Sequence, residues 1–120
     1  MARILVVEDD RVVRGLITEI LRRDGHDVVA VADAAEALPL AGDDTIDLVV
    51  TDMTMPGMSG LDLARALQAD RPGLPVLVVT GSRTEDVVAE ATASGAAGVV
   101  AKPFSHAELR RAVAQAVAEN

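Results

Sequence analysis

Four short apolar runs in this 120-residue chain each end on groups that can do chemistry. Arg3–Val7 runs into Glu8-Asp9-Asp10, Leu48–Thr51 into Asp52, Val76–Val79 into Thr80, and Val99–Ala101 into Lys102. Carboxylates crowded at an apolar edge repel one another and gain proton affinity unless a cation intervenes. All-oxygen ligands without His or Cys beside them select a hard cation, Mg²⁺ with Mn²⁺ as its substitute, rather than zinc. Mg²⁺ commonly binds one or two carboxylates together with phosphate oxygens. A carboxylate can also act as a nucleophile and form an aspartyl phosphate, with an ammonium and a hydroxyl holding the remaining phosphoryl oxygens. Lys102 is the only lysine among eleven Lys and Arg, which suits a position that wants a compact charge rather than a planar fork.

Those groups meet only if the runs are parallel strands of one sheet. The runs lack clean alternation, as strands buried on both faces do. Helical patterns fall between them: Val12, Val13, Leu16, Ile17, Ile20 and Leu21 in the first, Leu61 to Gln68 in the third, Glu85 to Ser94 in the fourth. Val28–Val31 supplies a further strand, and a short Ala-rich helix follows. Asp10 caps the first helix, and Gly25 ends it. Asp33 with Glu36, and Ser105 with Glu108, form capping boxes for the second and fifth helices. Pro39 makes the second helix short or bent. Pro56-Gly57 fits the centre of a type II turn after Asp52. Five strands alternating with five helices predict a single α/β domain over residues 1–120, a doubly wound parallel sheet. In such a sheet the strand ends form one edge, where ligands bind.

Composition narrows the function. The net charge of −8 argues against direct nucleic-acid binding, which needs clustered positive charge. No apolar run approaches the ~20 residues of a membrane span, and the N-terminus is too short in apolar residues for a signal peptide, so a cytoplasmic protein is expected. The absence of cysteine excludes disulfides and thiolate chemistry. Phe104 is the only aromatic residue, so Val, Leu, Ile, Ala and Met must build the core.

With these residues in view, the chain resembles the receiver domain of bacterial two-component response regulators, of the chemotaxis-regulator type, over its whole length. The resemblance rests on Val6-Val7-Glu8-Asp9, on Asp52 with Met55-Pro56-Gly57, on Ser59-Gly60-Leu61-Asp62-Leu63, on Thr80-Gly81, and on Lys102-Pro103-Phe104. It implies a flavodoxin-like sheet of order 2-1-3-4-5. It also implies that a sensor histidine kinase or a histidine phosphotransfer protein phosphorylates Asp52 in a phosphorelay. Asp9 would then bind Mg²⁺ directly, Glu8 through water, and Thr54 through its backbone carbonyl. Thr80 and Lys102 would contact the phosphoryl group, and the Lys102-Pro103 bond would be cis. The phosphoprotein would act on a downstream protein, or as a homodimer, through the fourth helix, fifth strand and fifth helix. It would shed its phosphoryl group by itself without being a dedicated enzyme.

Two departures from the family pattern stand out. Val99 occupies the position where an aromatic switch residue is usual, and Glu8 replaces the commoner aspartate. A small aspartate-nucleophile phosphatase or phosphotransferase acting on metabolites is the main rival. It wants a second aspartate two residues after the nucleophile, where this chain has Thr54. A flavodoxin-type nucleotide module would need a glycine-rich loop where three acids stand. The chain is expected to be either a single-domain regulator or the receiver of a longer DNA-binding regulator or hybrid kinase. Arg11 and Arg14 offer a docking face for the phosphodonor, and Arg110 and Arg111 a pairing with Asp86 or Glu90 across a dimer. His26 and His106 are expected to be solvated bystanders, and Met53, Met55 and Met58 to fill gaps under the loop.

Overall fold

Runs of Val, Ile and Leu with little polarity favour strands covered on both sides, and five such strands form the sheet. The computed structural model describes residues 1–118. Strands β1 (Arg3–Val7), β2 (Asp27–Val31), β3 (Leu48–Asp52), β4 (Val76–Thr80) and β5 (Gly98–Ala101) lie in the order β2-β1-β3-β4-β5, every pair parallel. Helices α1 (Arg11–Arg23), α2 (Ala34–Ala41), α3 (Gly60–Asp70), α4 (Glu85–Ala93) and α5 (His106–Ala118) alternate with them. The expected flavodoxin-like, doubly wound α/β sheet is therefore the observed one.

Period-two alternation divides the core. Ile4, Val6, Leu48, Val50, Leu77 and Val79 face α1 and α5, meeting Ile17, Leu21, Leu109 and Val113. Leu5, Val7, Val49 and Val76 face α2 and α3, meeting Ala37, Leu63 and Leu67. A smaller cluster joins Leu61, Val78 and Ala91, with Met53 and Val99 packed against it.

Local signals explain the helix ends. Asp10 Oδ1 accepts from the Val12 and Val13 N–H groups at 2.9 and 3.1 Å. Gly25, at φ +90°, lets the His26 N–H turn back to the Leu21 carbonyl at 3.1 Å and closes α1. The Ser105–Glu108 box is reciprocal, at 3.0 and 3.2 Å. In the Asp33–Glu36 pair the structure gives only the Glu36 N–H to Asp33 bond, at 2.8 Å. Pro39 lies inside α2, which stops two residues later after a total of eight. No helix among the described residues is long and apolar enough to cross a membrane.

Two expectations need correction. His26 is not a solvated bystander: its side chain is 14% exposed, and Nδ1 accepts the Ala2 N–H at 3.0 Å, joining the α1–β2 turn to the start of β1. Met58 does not fill a gap, being 37% exposed, whereas Met55 is buried. Met58 follows the positive-φ Gly57 in the exposed part of the turn, with Pro56 and Gly57 themselves exposed.

Gly15 sits in the middle of α1, where a Cβ would meet no heavy atom within 4 Å. Alanine at this position removes a helix-interior penalty of about 1 kcal/mol. Gly15→Ala is expected to raise the urea midpoint accordingly, and a lower midpoint would contradict a regular helix there.

Candidate functional site

The carboxyl ends of β1, β3, β4 and β5 bring the chemically capable residues together. Parallel pairing aligns Val7 with Thr51, Asp52 with Val79, and Thr80 with Ala101, so Glu8, Asp52, Thr80 and Lys102 cap adjacent strands. Backbone bonds tie the loops that follow: the Met53 N–H donates to the Val79 carbonyl at 2.8 Å, and the Lys102 N–H to the Thr80 carbonyl at 2.7 Å. The Lys102-Pro103 peptide is cis.

Glu8, Asp9 and Asp52 each offer a carboxylate oxygen within 4.8 Å of the others. Glu8 and Asp52 are buried and Asp9 is exposed, so the cluster opens to solvent on one side. Lys102 Nζ lies 3.4 Å from both Glu8 oxygens and 3.4 Å from Asp52 Oδ1. One ammonium thus faces the two buried carboxylates, with Asp9 as a third acid beside them. Burial, followed by the Asp52 charge, pushes the Glu8 carboxyl above its ordinary range, and Lys102 offsets this only in part. Burial alone would lower the Lys102 ammonium, but the Glu8 and Asp52 charges outweigh it and hold the proton more tightly than usual. The residual negative charge, the all-oxygen donors and the open side fit a hard divalent cation.

Other predicted residues sit around this cluster. The Thr54 N–H points to Asp52 Oδ1 at 3.5 Å, the outer limit of a hydrogen bond. The Thr80 hydroxyl is buried but engaged with its own loop, accepting from the Ser82 N–H at 3.2 Å and donating to the Ser82 carbonyl at 3.3 Å. Val99 is half-buried on the side of the sheet that carries Val78.

The supporting roles of two residues, Gly60 and Arg14, escaped the sequence reading. A Cβ on Gly60 would overlap the Asp52 carbonyl oxygen and lie 2.9 Å from the Met53 Cα, while the Gly60 N–H donates to the Met53 carbonyl at 2.8 Å. Only glycine lets α3 start this close to β3. A Gly one residue after the N-cap Ser59 was the available signal, since that position ordinarily tolerates any side chain. Arg14 donates to the Glu8 carbonyl at 2.8 Å, fixing the turn that carries the acids; nothing in the helical spacing marks it.

This site on this sheet carries the identification. The chain belongs to the response regulator receiver domain family, whose model matches residues 4–114. It is 40% identical to the chemotaxis protein CheY of Pseudomonas aeruginosa, an alignment covering 92% of each chain. It is also 40% identical to the response regulator protein FleR of the same organism, over 95% of this chain but only 24% of FleR. A response regulator receiver domain protein from Clostridium thermocellum superposes with a TM-score of 0.92 at 30% identity, covering 99% of this chain and 96% of that one. The chain therefore spans nearly the length of one curated relative and about a quarter of another.

Two substitutions probe this geometry. Gly60→Ala is expected to cost about 1–3 kcal/mol in urea unfolding, the range for overpacking a tight contact. Glu8→Gln tests the crowding. A carboxyl whose folded pKa is raised keeps a proton that the unfolded chain has lost. Its stabilising contribution is complete below the ordinary value of 4.5 and declines as pH rises through the folded value. In EDTA, Glu8→Gln should therefore be more stable than the parent at neutral pH, with the gap closing on acidification. A variant less stable at neutral pH would show that the Lys102 pairing outweighs the burial.

Proposed function

We propose that this domain is the phosphoacceptor switch of a two-component or phosphorelay pathway, with Asp52 as the acceptor. The observation that carries the reading is the pairing of the buried Asp52 carboxylate with Lys102 beside two further carboxylates, in a chain of the receiver family. Phosphoryl transfer needs a positioned nucleophile and neutralisation of charge more than covalent chemistry from the protein. An Asp52 oxygen forms the new bond to phosphorus as the bond from phosphorus to the donor's imidazole nitrogen breaks. Glu8, Asp9, Asp52 and the Thr54 carbonyl would hold Mg²⁺ or Mn²⁺, which supplies charge neutralisation on the transferring group. Lys102 pairs with the phosphoryl oxygens. Thr80 exchanges its Ser82 partners for a phosphoryl oxygen, which draws the β4–α4 loop inward.

The donor, a sensor histidine kinase or phosphotransfer protein in the cytoplasm, would approach over the N-terminal half of α1. There Val12 is 79% and Leu16 42% exposed, beside Arg11 and the acids. The readout would be a shift in the population of an active α4–β5–α5 face that meets a protein target or a second copy. Moving such an equilibrium from 1:99 to 99:1 takes about 5.5 kcal/mol of differential stabilisation. The one-quarter coverage of FleR favours a second reading of context, in which the domain serves a longer regulator.

Asp52→Asn should abolish incorporation of phosphate from acetyl phosphate and Mg²⁺, read by intact mass. EDTA should do the same to the parent chain. Unchanged incorporation in the variant would overturn the assignment of Asp52.

A further inference from the structure

We propose that the groove between α1 and β2 binds a polyphosphate anion of nucleotide size. The groove is an open trough of about 710 Å³, lined by Arg11, Arg14, Arg22 and Arg23 with a single carboxylate, Glu19. This concentrates four guanidinium groups on one 13-residue helix of a chain whose net charge is −8. Their charge is largely uncompensated. Arg23 pairs with Glu19 at 2.7 Å, but among the described residues Arg11, Arg14 and Arg22 form no ion pair. Arg14 and Arg22 instead donate to neutral backbone carbonyls, of Glu8 at 2.8 Å and Val28 at 3.2 Å. These bonds hold the guanidiniums in place and leave further N–H donors for a ligand.

Gly15 gives an independent reason to see a site here. It lines the groove, costs the helix about 1 kcal/mol, and is required by neither its φ nor any neighbouring atom. A side chain at this position would project into open space between the arginines, where Ala30 of the edge strand β2 also lines the groove. Arginine forks bind phosphate oxygens in bidentate fashion. Arg11 and Arg22 are separated by about 16 Å along the helix, so the charge is spread over the length of a nucleotide rather than a single phosphate. The groove is distinct from the face offered to a protein donor, since Val12 and Leu16 lie outside it and no lining residue is aromatic or a large aliphatic, the types that anchor protein interfaces. The groove meets the acidic turn through Arg14, whose guanidinium donates to the Glu8 carbonyl.

The test is calorimetric titration of the full chain, in EDTA at low ionic strength, with tripolyphosphate, ATP, orthophosphate and a Glu-rich peptide. Tripolyphosphate or ATP should bind at least about tenfold tighter than orthophosphate. ATP binding tighter than tripolyphosphate would assign a role to the nucleoside, and equal binding would confine recognition to the phosphates. The double variant Arg11→Ala with Arg22→Ala should lose about tenfold or more. Gly15→Leu, checked for folding by circular dichroism and urea midpoint, should bind none of the probes. Polyphosphates no tighter than orthophosphate, tighter binding of the peptide, or parent-like affinity in the double variant or in a folded Gly15→Leu would each overturn the proposal.

Discussion

A single ammonium group, Lys102 Nζ, stands 3.4 Å from two buried carboxylates at the end of an apolar sheet, and the local architecture is arranged around that shortfall of positive charge. Two buried carboxylates and an exposed third against one cation is an arrangement that opposes folding, because burial penalises charge and the acids repel one another. It persists because the strands beneath are Val, Ile and Leu packed on both faces by helices. The apolar burial is the dominant favourable term and leaves room for a charged edge that subtracts from it. Function and stability are thus assigned to different atoms of the same strands, side chains within the sheet and side chains just past its end.

Most of this was legible in the residues. Apolar runs ending in Glu8, Asp52, Thr80 and Lys102 lead directly to a parallel sheet with one chemically rich edge, because parallel pairing is what places all the carboxyl ends together. Helix caps were legible for the same reason, since Asp10 and Ser105 need only their immediate neighbours to act. The strand order came with the family resemblance, as no local signal encodes it.

What was not legible depended on contacts between distant segments. Gly60 reads as an ordinary helix-start residue until α3 is laid against the Asp52 carbonyl. His26 reads as a turn residue until the start of β1 brings the Ala2 N–H onto its imidazole. Arg14 shares a polar face with Arg11 and Arg22, and only the folded turn reveals that it also braces the Glu8 backbone. Met58 failed in the opposite direction: it follows a positive-φ glycine in the exposed part of the turn, where composition suggested filling.

The Thr80 hydroxyl has a consequence beyond its place at the sheet edge. It is already used as both donor and acceptor by Ser82, two residues along its own loop. Any new partner for it is an exchange, not a gain, and the net worth of a hydrogen bond in such an exchange is only about 1 kcal/mol. The hydroxyl's own hold on the loop after β4 is therefore limited to two bonds of 3.2 and 3.3 Å. Breaking those two bonds costs the hydroxyl little once a new partner takes their place.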